Sequence, residues 1–164
     1  TLQDLIQSPL IPSPVKEAAS LCASFERRNS ATVGGNIACR RDDSYLGALF
    51  SVMGVKTYAV TPHGEGEKSV EDYFPTTCRR LILYFILDPR KDGWVKRFGN
   101  TVSSHAALIA AESDGRYALS VKGSQMVIGD TPEIYKDVEY VSDMFGSAEY
   151  KKYLASIVFG LRRK

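Results

Sequence analysis

Thr32, Gly34, Gly35 and Asn36 stand in the stretch Ala-Thr-Val-Gly-Gly-Asn-Ile at 31–37, the one place in the chain where residue types and spacing point to a ligand. Two adjacent glycines leave the backbone bare, let a ligand approach closely and can take positive φ. Successive N–H groups in such a turn form a nest for an anion such as a pyrophosphate. A hydroxyl from Thr32 and an amide from Asn36 flank the glycines and can fix oxygen atoms. The same residues also suit a plain tight turn between two strands, because Gly-Gly is frequent in turns. Local chemistry leaves both readings open.

Other templates for chemistry fail. Gly34-Gly35 has no third glycine at dinucleotide-fold spacing. The run Gly-Glu-Gly-Glu-Lys-Ser at 64–69 imitates the end of a P-loop, but Glu67 occupies the glycine position before Lys68-Ser69. There is no Gly-x-Ser-x-Gly elbow, and nothing singles out members of a Ser-His-Asp triad. Asp42 and Asp43 precede a helix start, where carboxylates suit the dipole; successive residues there are poorly placed to converge on one substrate as an acid/base pair. The three cysteines, Cys22, Cys39 and Cys78, form no Cys-x-x-Cys and no iron–sulfur run. Free thiols in a reducing, cytoplasmic setting are expected. His63 and His105 lie in no ligand spacing, so no metal site is expected.

The elements that must position the glycine stretch follow from periodicity. Val15, Ala18, Ala19, Cys22 and Phe25 recur at three and four, which predicts a helix over 15–25 with Pro14 in its first turn. Residues 28–39, small and poor in bulk, read as a loop with short extended flanks. Ser44 caps a helix whose face is Tyr45, Leu46, Leu49, Val52 and Met53, stopped by Gly54. Residues 56–61 and 68–70 read as strands around a turn at 62–66, and Ser69 is placed to cap a short helical turn. Residues 81–87 read as a buried strand closed by Asp88-Pro89, and 94–98 as extended. The runs 106–112 and 116–121 form a hairpin through Asp114-Gly115. Pro132 starts a helix toward Tyr140. Ser147 caps a last helix with Tyr150, Tyr153, Leu154, Ile157, Val158 and Leu161 as its apolar stripe and Arg162, Arg163 and Lys164 at the negative end of its dipole. Helices and antiparallel hairpins interleave without βαβ alternation, so the fold class is α+β.

The 164 residues are 44% hydrophobic and 24% charged, proportions that exclude a disordered, collagenous or disulfide-dense chain. A net charge of +2 with scattered basic pairs gives no clustered face for nucleic acid. The longest apolar runs fall short of the roughly 20 residues of a membrane-spanning helix.

The element Arg-Asn-x-x-Thr-x-Gly-Gly-Asn at 28–36 resembles the second flavin-binding stretch of the FAD subunits of molybdenum hydroxylases, the family of the xanthine dehydrogenase medium chain and the carbon monoxide dehydrogenase flavoprotein. The likeness continues through 45–54, the hairpin to Val-Glu-Asp-Tyr-Phe at 70–74, the strand 81–89, and Gly-Ser-Ala-Glu-Tyr at 146–150. The stretch Arg-Arg-Asp-Asp-Ser at 40–44 is similar to selenate reductase or xanthine dehydrogenase FAD-binding subunits of enteric bacteria.

The resemblance implies an FAD-binding electron-transfer subunit that works beside a molybdenum-cofactor subunit and an iron–sulfur subunit and passes electrons to a final acceptor. It also allows a homodimer. Thr32, Val33, Gly34, Gly35, Asn36 and Ala38 would hold the pyrophosphate and ribityl region, with Ile82 and Lys96 beside the isoalloxazine. Residues 1–77 would be the second part of an FAD-binding subdomain and 78–164 a carboxy-terminal subdomain like that of the carbon monoxide dehydrogenase flavoprotein. The family's first flavin loop would lie upstream of Thr1. Tyr45 stands where the family usually places an Asp. A cofactor-free assembly module that keeps the scaffold is the competing expectation.

Overall fold

The computed structural model describes residues 1–22, 24–75, 80–101 and 104–160. Five helices come first: α1 (Leu2–Gln7), α2 (Ser13–Ser20), α3 (Phe25–Ser30), α4 (Val33–Ala38) and α5 (Tyr45–Val52). Strands β1 (Lys56–Thr61) and β2 (Gly64–Ser69) follow, then a 3-10 turn at Glu71–Tyr73 and β3 (Leu81–Ile86). The rest comprises β4 (Trp94–Phe98), β5 (Leu108–Ser113), β6 (Arg116–Val121), β7 (Val127–Gly129), a 3-10 turn at Pro132–Lys136, and α6 (Ala148–Gly160). The strands make two antiparallel sheets, ordered β2-β1-β3 and β4-β5-β6-β7. The architecture is the α+β class that the sequence predicts.

Helix α5 is the hub. Ser44 caps it, its Oγ accepting from the Gly47 N–H at 3.0 Å. Gly54, at φ +66°, ends it: the Gly54 N–H reaches the Ser51 carbonyl (3.3 Å) and the Val55 N–H reaches that of Phe50 (2.9 Å). That is a Schellman stop, with Phe50 and Val55 in the core beneath it. Every residue of α5 is buried, because it packs against α2 and against β4, β5 and β6, while Phe50 meets Phe85 of the first sheet at 5.6 Å between centroids.

The second sheet is covered on both faces, and alternation along β5 sorts its residues between two cores. Ile109 and Ala111 join Val95 and the α5 side. Leu108 and Ala110 join Trp94, Leu119, Val121, Ile134, Ala155 and Phe159 on the α6 side. A strand buried on both faces reads as a continuous apolar run, as β5 does. Asp114 (φ +51°) and Gly115 (φ +78°) turn the β5–β6 hairpin in the left-handed conformation expected of Asp-Gly.

Several expectations need correction. The helix expected over 15–25 ends at Ser20, where the Leu21 N–H returns to Glu17 (3.1 Å), and Ser24 then caps a separate α3; a serine there favours a new helix start over helix interior. The loop expected at 28–39 is two short helices, α3 and α4. Ser69 ends β2 and caps nothing; the Glu71–Tyr73 turn follows Val70, whose N–H bonds to Val55 at 2.9 Å. Strand β3 is an edge strand, not a buried one: among the described residues it pairs only with β1, and Leu81, Leu83, Tyr84 and Ile86 are exposed. Pro132 opens a five-residue 3-10 turn and not a helix to Tyr140, whose hydroxyl instead donates to the Tyr135 carbonyl (2.7 Å).

Ser147 does cap α6, accepting from the Tyr150 N–H at 3.2 Å. Its buried face, however, is Lys151, Ala155 and Phe159, with Tyr150 and Tyr153 exposed. Residues 161–164 and the subdomain boundary expected at 77/78 lie outside the described residues. Val95, Ile109 and Ala118 share one core with α2 and α5. Among the described residues no helix is long and apolar enough to cross a membrane.

Candidate functional site

The glycine stretch is a helix start. Thr32 caps α4 in extended backbone conformation (φ −103°, ψ 155°), and its Oγ1 accepts from the Gly35 N–H at 3.0 Å. Gly34 and Gly35 therefore lie in the first turn of α4, and neither takes a positive φ. This corrects the expected positive-φ nest: the Thr32 cap draws the glycines into helical conformation. The N–H groups of Val33 and Gly34 are the ones such an end leaves over. A Cβ built on Gly34 would meet nothing within 4 Å, whereas one on Gly35 would meet Thr32 Oγ1 at 3.0 Å. Thr32, Gly35 and Ala38 are exposed, Val33, Gly34 and Asn36 half-buried, and Ile37 anchors the helix in the core.

Asn36 faces inward to the next helix, where its Oδ1 accepts from Ser44 Oγ at 2.8 Å. The connecting segment 39–43 is clamped to the second sheet. Arg41 grips Asp43 through Nε on Oδ1 (2.7 Å) and Nη2 on Oδ2 (2.9 Å), and His105 Nδ1 lies 2.6 Å from the same Oδ2. Burial pushes the Asp43 carboxyl up, but the bonds from Arg41 and His105, with the charges of Arg41 and Lys122, outweigh it and hold the pKa at about 2. Asp42 accepts from Lys122 Nζ (2.6 Å) and the Gly123 N–H (3.0 Å), while its carbonyl accepts from Ser120 Oγ. The dipole reading of the Asp pair missed these partners, which lie 62–81 residues downstream. The one available hint is a pair of carboxylates on a short segment that also carries Arg41.

Strand β3 runs beside α4 and carries Ile82 on its half-buried side, paired with Ala59 and packed against the core. Ile82 and residues 32–38 thus belong to one neighbourhood. Lys96 does not join them. It is exposed on β4, alternating to the same face as Trp94 and Phe98, opposite to Val95 and α5. Tyr45 is turned inward: its hydroxyl accepts from Arg97 Nε at 2.9 Å, and burial pushes its pKa up. Beside the 39–43 segment, a cavity of about 620 Å³ is lined by Arg40, Asp42, Phe74, Arg116, Met126 and Ile128. Cys22 is buried, which pushes its thiol up to about 12, and Cys39 is exposed; both are free. Cys78 lies outside the described residues. Among those residues no group of His, Cys, Asp and Glu is arranged to hold a metal ion.

No family model matches the sequence. The uncharacterized protein YgfM of Escherichia coli strain K12 is 28% identical over 175 aligned positions, covering 96% of this chain and 66% of YgfM. The chain thus spans just under two thirds of the length of the curated relative it matches. Solved structures share its fold across nearly its whole length. A chain of carbon monoxide dehydrogenase from Hydrogenophaga pseudoflava superposes with a TM-score of 0.82 at 20% identity, covering 96% of this chain and 69% of that one. For quinoline 2-oxidoreductase from Pseudomonas putida 86 the values are 0.81, 18%, 97% and 69%. Reconstituted CO dehydrogenase from Oligotropha carboxidovorans gives 0.80 at 19% identity, over 99% of this chain and 70% of that one.

Proposed function

We propose that this chain is part of an FAD-binding electron-transfer subunit of a molybdenum-dependent oxidoreductase of the xanthine dehydrogenase type, working in the cytoplasm with molybdenum-cofactor and iron–sulfur subunits. Thr32, Val33, Gly34, Gly35, Asn36 and Ala38 would lie against the pyrophosphate and ribityl portion of FAD, and Ile82 beside its isoalloxazine. Lys96, on the far face of the second sheet, takes no part in this version of the site.

The observation that carries the reading is the pair of glycines in a six-residue helix. Glycine is a poorer helix former than alanine. Neither needs its glycine for a positive φ, and at Gly34 no neighbour stands where a side chain would go. Packing among the described residues gives no reason for glycine at 34. A ligand lying on the bare backbone does, and leftover N–H groups at a helix start suit an anionic one. The shared fold with carbon monoxide dehydrogenase and quinoline 2-oxidoreductase chains supports the same reading. When bound, FAD would supply a carrier that collects electrons singly from iron–sulfur clusters and hands them on to a final acceptor. The chain's part is to present the α4 backbone, hold it through Asn36 and Ser44, and shield one side with Ile82.

A second reading, a cofactor-free assembly module, draws on the inward bonding of Thr32, Asn36 and Tyr45. Visible absorbance separates the two. The protein is incubated with FAD, desalted and scanned, both as this chain and within the full-length protein. A retained flavin band that Gly34→Leu abolishes is the expected result. A colourless full-length protein, or a band indifferent to Gly34→Leu, overturns the flavin assignment.

A further inference from the structure

The inner face of the first sheet opens into a second cavity, of about 290 Å³, at the end nearest the β1–β2 turn. Register explains it. Thr57 pairs with Lys68, Ala59 with Gly66 and Thr61 with Gly64, so Lys68, Gly66 and Gly64 share the face on which Thr57 and Ala59 are buried. Two of those three positions carry no side chain, and a Cβ on either glycine would meet nothing within 4 Å. Arg80 precedes Leu81, the partner of Val60, and comes alongside Thr61 on the same row.

Arg80 is the unusual member of this lining. Its guanidinium lies over the Tyr73 ring, 4.8 Å from the centroid, while Nε and Nη1 are buried and find no hydrogen-bond partner among the described residues. A guanidinium stays charged, and a buried donor left unpaired costs about 1–3 kcal/mol, more when charged. Lys68 supplies a second cation and His63 an imidazole; Glu65 is the one carboxylate in the lining, so the balance is positive. The volume is at the small end of ligand pockets, roughly 300–1,000 Å³, and suits a small molecule better than a dinucleotide.

We propose that this cleft binds an oxyanion, the phosphate or carboxylate group of a small ligand, with Arg80 as its principal donor and Lys68 as the second cation. Charge-assisted bonds to such a group are what an unpaired buried guanidinium lacks. The glycines of β2 make the room, and Tyr73 fixes the guanidinium plane from below. This inference does not rest on the flavin reading.

The test uses the full chain without flavin. Inorganic phosphate and acetate are titrated separately at constant ionic strength and followed by amide chemical shifts. Saturable one-to-one binding of at least one anion is expected, and whichever binds more tightly identifies the group. Arg80→Met keeps an unbranched apolar side chain over Tyr73 and should weaken binding at least about tenfold. Gly66→Leu fills the cavity while leaving Arg80 in place and should abolish binding. Far-UV circular dichroism establishes that each variant is folded. Absence of saturable binding for both anions, or binding that survives either substitution in a folded variant, overturns the proposal.

Discussion

Ser44 Oγ donates to Asn36 Oδ1 across 2.8 Å while accepting from the Gly47 N–H, so one hydroxyl ties the glycine helix to the N-terminus of the buried hub helix. Ser44→Ala removes both bonds, and loss of such a cap costs about 1 kcal/mol. Asn36→Ala leaves the cap intact and should lower the melting temperature less. If the pair positions a flavin site, both variants lose flavin retention to a similar degree despite unequal stability. Parallel thermal melts and absorbance scans separate the two effects, and Ser44→Thr should restore both.

Gly47 stands where α5 meets the Glu71–Tyr73 turn. A Cβ there would overlap the Phe74 ring and come within 2.9 Å of Ser44 Oγ. Gly47→Ala should therefore destabilise by about 1–3 kcal/mol through overpacking, although alanine is the better helix former. Phe74→Leu in the same chain should recover part of the loss. Urea unfolding of the two single variants and the double variant measures the coupling, and additive effects would remove Phe74 from the explanation.

The parts of the fold that were legible in the sequence are those set by local rules. Ser44 and Gly54 bound α5, Asp114-Gly115 turns the hairpin, and Ser147 caps α6, because each acts on backbone within a few residues. The conformation of the glycine stretch was not legible: Gly-Gly fits a turn or a helix start equally, and the Thr32 cap decided it. The buried face of α6 was misread because its innermost residue is a lysine, and no periodicity of apolar residues can reveal a lysine whose partners are Asp143 and two carbonyls. Bulk alone made β3 look buried; exposure depends on what covers a strand, and among the described residues β3 pairs on one side only. At the candidate site, Thr32 to Asn36 stood out by composition, whereas the clamp of Asp43 on His105 needed the fold to bring distant residues together.

Asp43 sets the acid limit of the connecting segment. Its folded pKa of about 2 lies below the unfolded value near 3.9. The depressed carboxylate contributes stability that is fully present above about pH 4 and is lost as pH falls through about 2. With the side chain almost wholly buried, the contribution is on the order of 2 kcal/mol. Urea midpoints measured from pH 6 to pH 2 should fall over that window, and Asp43→Asn should flatten the fall while lowering stability at pH 6. An unchanged profile in Asp43→Asn would assign the acid sensitivity to other carboxylates.

Lys151 is the fully buried ammonium of the second core. Its Nζ reaches Asp143 Oδ2 (2.8 Å), the Val141 carbonyl (2.8 Å) and the Lys122 carbonyl (3.3 Å), drawing the 141–143 segment and the end of β6 onto α6. Breaking a buried pair from one side costs about 3–5 kcal/mol when a charge is left uncompensated inside. Asp143→Ala strands the ammonium and should fall in that range. Lys151→Met removes the charge, keeps most of the volume and leaves a carboxylate that water can reach, so it should cost less. The double variant should be no less stable than Asp143→Ala alone. Guanidinium unfolding of the three proteins gives the ordering. If Asp143→Ala proves silent, the two carbonyls alone hold Lys151, and the ion pair contributes nothing to the docking of α6.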